Sequence, residues 1–150
     1  MRALLQVVSK AQVSVNHRVV GACSCGFCIF LGVEPADTKA TADKLWHKIS
    51  NLRVFPDETG KLNRSLHDIE GQVLIISQFT LYASVKHGNR PSFTEAAGHT
   101  QATELYDYVC ELARKDLRAG NVGTGVFGAD MSVELANEGP CTIWIDTDQL

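Results

Sequence analysis

The stretch Val73-Leu74-Ile75-Ile76-Ser77-Gln78-Phe79-Thr80-Leu81-Tyr82 decides how the rest of the chain is read. Its first four residues form an unbroken apolar run of the kind that makes a buried strand. The next part sets Ser77, Gln78 and Thr80 around a single Phe79 before turning apolar again. An unpartnered buried hydroxyl or amide costs about 1 to 3 kcal/mol, so these side chains must find partners, reach solvent or serve a ligand. The pattern predicts a central strand over Gln72 to Tyr82 with a candidate site at its polar end.

On the N-terminal side, Gly26 to Val33 is a second apolar strand, and Arg18 to Ala22 a shorter one entered through the turn Asn16-His17. Arg2 to Ser9 and Gln12 to Asn16 read as two further short strands, because Val13 and Val15 alternate with polar neighbours. After the breaker Glu34-Pro35-Ala36, Asp37 or Thr38 can cap a helix whose positions Ala42, Leu45, Trp46, Ile49 and Leu52 keep a helical period. Phe55 to Gly60 is turn chemistry, and Lys61 to Leu66 a possible short strand. On the C-terminal side a basic loop ends in Arg90-Pro91-Ser92-Phe93. Thr100 to Arg118 predicts a second helix with Ala102, Leu105, Val109, Leu112 and Ala113 inward, Tyr106 and Tyr108 at its margins, and Gly120 as its stop. Val122 to Phe127, the alternating Met131, Val133 and Leu135, and Cys141 to Ile145 return to strand. The sum is a single α+β domain over residues 1–150, with two main helices and mainly antiparallel sheets, arranged as a barrel or as two packed sheets. The regular βαβ alternation of a doubly wound sheet is absent.

Apolar residues make up 45% of the 150 and charged residues 21%, the proportions of a soluble globular protein. No apolar run reaches the roughly 18 to 20 residues of a membrane span, and Met1 to Gln6 has no signal-peptide pattern, so no membrane and a cytoplasmic location are expected. A net charge of −3 disfavours coating nucleic acid along its length, but leaves room for reading a nucleic-acid end through a local patch such as Lys86-His87-Gly88-Asn89-Arg90. Five cysteines at irregular spacing make a poor disulfide framework. Cys23, Cys25 and Cys28 lie in an apolar run with no histidine at ligand spacing, so they read as small buried thiols rather than as a zinc or redox site.

Gly123-Thr124-Gly125-Val126-Phe127-Gly128 fits G-x-G-x-x-G by letter, yet it follows a helix and leads into a strand, the reverse of a dinucleotide site. Glycines placed so more often mark a bulge or the close approach of another backbone. No G-x-S-x-G elbow surrounds Ser77 and no histidine lies near it in sequence. A histidine elsewhere could still meet it in space. Asn137-Glu138-Gly139-Pro140 reads as a hairpin loop joining two strands. X–Pro bonds are cis in about 5 to 6% of folded cases, usually in a tight turn, which here would aim two carbonyls in an unusual direction.

Taken together, Ser77-Gln78-Phe79-Thr80-Leu81 and Asn137-Glu138-Gly139-Pro140-Cys141-Thr142 resemble the D-aminoacyl-tRNA deacylase family, which hydrolyses D-amino acids and glycine off tRNA. The likeness extends to Asn51-Leu52-Arg53-Val54-Phe55, Arg90-Pro91-Ser92-Phe93 and Gly125 to Met131, essentially the whole chain. It implies that fold, a homodimer, and no metal or other cofactor. It also implies that Ser77, Gln78, Phe79 and Thr80 line the ester pocket, with the Phe79 N–H on the ester carbonyl and the adenosine 2'-OH assisting water. Asn137, Gly139, Pro140 and Thr142 would serve substrate binding and chiral selection, with the Gly139-Pro140 pair, in cis, inserted from the partner subunit and excluding an L side chain by main chain alone. Phe127 and Met131 would pack on the adenine, and Lys86 and Arg90 are candidate phosphate contacts. The family usually has Arg where this chain has Val7, so another group must hold the Gly-Pro segment. Glu138 and Cys141 stand where Asp and Val are commoner. Ser77 and Phe79 distinguish the chain from related deacylases reading P-Q-A-T that act on L-alanyl-tRNA. Two other functions fit the residues: a non-catalytic binder of tRNA ends, and a small-molecule hydrolase with a Ser77 or Thr80 nucleophile.

Overall fold

The computed structural model describes all 150 residues. In chain order it forms β1 (Arg2–Val15), β2 (Arg18–Cys23), β3 (Gly26–Gly32), α1 (Lys39–Asn51), β4 (Phe55–Pro56), β5 (Leu62–Arg64), β6 (Gln72–Ser77), α2 (His99–Asp116), β7 (Val122–Thr124) and β8 (Ser132–Asp146). The two strands expected before Asn16 are one. The exposed Ser9 and Lys10 break the apolar pattern, but a register shift against β8 between Val8 and Lys10 absorbs the break and the backbone runs on. Asn16 and His17, both at positive φ (49° and 62°), make the tight turn into β2.

β1 is the strand around which a six-stranded sheet is organised. One edge pairs antiparallel with β3 and then β2, while the other pairs antiparallel with β8 along nearly its whole length. The β3–β6 and β6–β7 pairs are parallel, because each is joined by a crossover carrying a helix. The α+β class with mostly antiparallel strands therefore holds, with a mixed centre. The sheet curls until β2 nearly meets β7. A Cβ at Gly21 would stand 2.2 Å from the Thr124 carbonyl oxygen, and one at Gly123 2.3 Å from that of Ala22. Gly123 is thus a close-approach glycine, and a turn rather than a helix follows it.

β6 is buried on both faces. Val73 and Ile75 join Leu5, Phe27 and the helical stripes of α1 and α2 in the main core, while Leu74 and Ile76 join Val8, Val13, Cys23 and Cys28 in a second cluster. Thr38 caps α1 in a capping box with Thr41. Asp37 does something else: it accepts from the buried Met1 ammonium at 2.5 Å and from the Glu34 amide at 2.7 Å. Tyr106 is core rather than margin at 3% exposure, and α2 ends at Asp116, its cap Leu117 turning extended before Gly120 is reached. Cys23 and Cys28 are buried, with burial pushing their thiols up to about 11 and about 12, whereas Cys25 is exposed at the β2–β3 corner. No helix is long and apolar enough to cross a membrane.

Candidate active site

The strand over Gln72 to Tyr82 stops at Ser77. β3 ends at Gly32 and β7 at Thr124, so past Ser77 no ladder remains to extend it. Gln78 N–H makes a last bond to the Leu31 carbonyl at 2.7 Å, and Phe79–Tyr82 then coil into a 3-10 turn. Gly32 makes room for that turn, since a Cβ there would lie 3.1 Å from the Gln78 oxygen and 3.2 Å from the Tyr82 ring. The first bond within the turn runs from Leu81 N–H to the Gln78 carbonyl at 3.2 Å. The amides of Phe79 and Thr80 precede it and are the donors such a turn leaves without an internal partner. The Gln78 side-chain amide donates to the Thr80 hydroxyl, so both polar chains are held within the turn.

Arg2 ties the turn to the sheet. Its guanidinium donates to Asp146 Oδ2 at 3.0 Å and to the Leu81 carbonyl at 3.2 Å, and lies 4.3 Å from the centre of the Tyr82 ring. Tyr82 is buried and donates its hydroxyl to Glu34 at 3.1 Å. Burial, reinforced by Asp37 and Glu34, pushes that hydroxyl's pKa far up, which keeps it a donor. Asp146 feels burial, which pushes its carboxyl up, but the Asp148 amide and the Arg2 guanidinium outweigh this and hold it below the usual carboxylate range.

Beside the turn opens a mostly apolar cleft of about 500 Å³. Ser77, Gln78 and Phe79 line it from β6 and the turn, while Phe127 and Met131 line it from the segment between β7 and β8. Phe79 is 56% exposed and rests edge-on against Phe93 at 5.1 Å. Thr80 stays behind Gln78 and is not part of the lining. The Tyr106 hydroxyl donates to the Ile75 carbonyl at 2.8 Å, which also accepts from Gly125 N–H at 3.0 Å, joining α2, β6 and the start of the Phe127 segment.

Asn137, Gly139, Pro140 and Thr142 lie away from this cleft, on β8. They are not a hairpin loop between two strands. β8 is one 15-residue strand templated by β1, with Gln6 facing Thr142 and Val8 facing Asn137, so that residues 138–141 bulge out opposite Val7 alone. The Gly139-Pro140 peptide at the crest is cis, and both residues are exposed. At the base of the bulge Gln6 Nε2 donates to Thr142 Oγ1 at 3.3 Å, while the enclosed amide of Asn137 has no partner for either polar atom.

The family model for D-Tyr-tRNA(Tyr) deacylase matches residues 4–146. The chain belongs to the D-aminoacyl-tRNA deacylase family. The D-aminoacyl-tRNA deacylase of Thermomicrobium roseum is 49% identical over 150 residues, covering 100% of this chain and 96% of that one. The D-aminoacyl-tRNA deacylase of Pseudoalteromonas translucida is 51% identical over 142 residues, covering 95% and 97%. Among solved structures, a c-Myc DNA Unwinding Element Binding Protein superposes with TM-score 0.92 at 39% identity, covering 97% of this chain and 98% of that one. "A probable eukaryotic D-amino acid tRNA deacylase" superposes with TM-score 0.81 at 18% identity, covering 96% and 97%, a likeness of fold alone. Members of the family are hydrolases acting on a carboxylic ester, and so is this deacylase.

Val7 is buried in the main core opposite Phe27, and its neighbour Gln6 makes the contact to the base of the bulge. Lys86 and Arg90 are exposed on the loop between the turn and α2, where the Ser84–Ser92 bridge closes the loop's base. Sequence reading missed Arg2, His99 and Tyr106. The last two were within reach, since 99, 102 and 106 share one face of a helix, and that face lines the cleft.

Proposed function

We propose that the chain hydrolyses the ester between a D-amino acid, or glycine, and the 3'-terminal ribose of tRNA, as a homodimer whose two sites each draw on both subunits. One observation carries the reading: Ser77 to Phe79 line a cleft, whereas Gly139-Pro140 is presented on a bulge outside it. If both motifs serve one reaction, the second must come from another copy of the chain. The Asn137 amide supports this, because an enclosed group left unpaired costs about 1 to 3 kcal/mol, and a bulge under-satisfied in one chain gains by assembling with another.

In this reading the Phe79 N–H, with its neighbour at the opening of the turn, donates to the ester carbonyl oxygen and stabilises the negative charge that develops on it. Ser77, Gln78 and Thr80 orient the site. Main-chain carbonyls of the partner's Gly139 and Pro140 face the amino end of the substrate and leave no space for an L side chain, while a D side chain points out. The 2'-OH of the terminal adenosine assists the attacking water. The adenine packs on Phe127 and Met131, and Lys86 and Arg90 meet phosphates of the acceptor end. A nucleophilic Thr80 is less well supported: Thr80 Oγ1 is engaged by Gln78 and stands outside the cleft lining. No acidic or basic side chain is hydrogen-bonded to it.

Incubating D-Tyr-tRNA and L-Tyr-tRNA separately with the protein and following ester loss tests the reading. Loss of the D-ester alone is expected, and equal loss of both, or of neither, refutes it. Charged tRNA retained without release would mark a binding module instead, a competing reading raised by the DNA Unwinding Element Binding Protein relative. Thr80→Ala is expected to keep most of its activity. Shared sites are tested by mixing Phe79→Pro, which removes the N–H but tolerates the start of a turn, with Gly139→Val. Each alone is inactive, and random reassembly recovers about a quarter of the wild-type rate, because half the dimers carry one intact site.

A further inference from the structure

We infer that His99 contacts the substrate directly and reads the base edge of the terminal nucleotide; this rests on the function proposed above. The Phe127 end of the cleft is built as a flat apolar slot. Phe127 is wedged between Tyr106 at 5.6 Å and His99 at 5.2 Å, the latter ring perpendicular to it. The Met131 sulfur closes the slot beside Gly125, 2.7 Å from where a Cβ there would be. Such a surface of aromatic ring and thioether takes a planar heterocycle, but it accepts one purine as readily as another because every base has an apolar face.

Discrimination needs a hydrogen-bonding group at that end, and the cleft supplies one. The Tyr106 hydroxyl is committed to Ile75, and Gln78 donates to Thr80 at the turn end of the cleft. Ser77 belongs to the β6 end next to the turn. His99 remains, exposed at the rim, with Nε2 only 3.5 Å from the Cβ position of Gly128, so the ring lies over a residue without a side chain. His99 opens the 18-residue α2, and the same face of that helix buries Ala102 and Tyr106, both of which line the cleft. A neutral imidazole offers one donor and one acceptor. Adenine displays an N6 amine donor beside a ring-nitrogen acceptor, and single-stranded RNA ends are read by this combination of stacking and edge contacts.

The test compares D-Tyr-tRNA ending in adenosine with D-Tyr-tRNA ending in purine riboside, which lacks the 6-amino group, using wild type, His99→Phe and His99→Gln. Wild type is expected to lose about five- to tenfold in kcat/KM on the purine substrate, the worth of one net hydrogen bond. His99→Phe should lose a similar factor on the adenosine substrate, chiefly through KM, and nothing further on purine riboside. His99→Gln, which retains a donor and an acceptor, should regain discrimination. A His99→Phe enzyme that discriminates as wild type does overturns the inference. So does one whose kcat falls a hundredfold at unchanged KM, because His99 would then act in the chemical step. If wild type hydrolyses neither substrate, the proposed reaction fails, and calorimetric binding of adenosine 5'-monophosphate against purine riboside 5'-monophosphate still decides the role of His99. Weaker purine binding by wild type but not by His99→Phe upholds it, and equal binding overturns it.

Discussion

Replacing Arg2 by Met keeps the aliphatic stem and removes the guanidinium that ties the 3-10 turn to the sheet. Four contacts are lost: the ion pair to Asp146, the hydrogen bond to the Leu81 carbonyl, the stacking on Tyr82 and a longer contact over the Trp144 ring at 5.8 Å. The Arg2 side chain is 28% exposed and that of Asp146 9%, which puts the pair near the top of the surface range, about 1 kcal/mol. The bond to Leu81 adds about 1 kcal/mol and the stacking about 0.5 kcal/mol. These share one side chain and do not sum fully, so a loss of about 2 kcal/mol is expected, lowering Tm by roughly 4 to 8 °C for a protein of this size. The functional effect is separable from the loss of stability. Leu81 lies two residues beyond Phe79, so slack at its carbonyl misplaces the amides that open the turn. At a temperature where the variant is fully folded, kcat for D-Tyr-tRNA should fall roughly tenfold, with KM changed by less than about twofold. Arg2→Lys keeps the charge but not the planar fork, and should recover part of the stability and less of kcat. A Met variant with Tm shifted by less than about 1 °C and unchanged kcat would show that the turn does not depend on Arg2.

Tyr106→Phe should cost about 1 kcal/mol in urea unfolding, because the Ile75 carbonyl keeps its bond from Gly125; a loss above about 3 kcal/mol would mean the hydroxyl has a further partner. Gly123→Val drives a side chain into the Ala22 backbone and should destabilise by about 3 kcal/mol or more, while Gly120→Val, with open space around it, should be nearly neutral. Acid lowers stability with a definite sign. The Thr59 hydroxyl and amide hold Asp57 at about 2, the Ser65 amide and hydroxyl depress Asp68, and Asp146 is depressed as described. Carboxyls whose folded pKa lies below the unfolded value, about 3.9 for Asp, contribute stability that is fully present above that value and lost as pH falls through the folded values. The urea midpoint should therefore be flat from pH 7 to about 5 and decline below about 4, and a midpoint that rises on acidification would contradict this assignment.

Much of this protein was legible in its sequence because the governing interactions are local or periodic. The helical period of Ala42 to Ile49, the turn at Asn16-His17 and the buried run Val73 to Ile76 each follow from side-chain spacing and backbone preference. The family followed from two short motifs. Pairing partners are a different kind of quantity. That β3 and β6 run parallel, that β1 templates both halves of β8, and that β6 gives way to a turn at Ser77 all depend on which strands end beside which, and local pattern carries no record of that. The same holds for the site. Ser77, Gln78, Phe79, Phe127 and Met131 could be named from the chain. Their assembly with Tyr106 and His99 on one helix face, the anchoring of the turn by Arg2 across 79 residues of sequence, and the presentation of Gly139-Pro140 outside its own cleft were decided only when the sheet curled and the helices docked. Contact between residues far apart in sequence is fixed by packing of the whole chain.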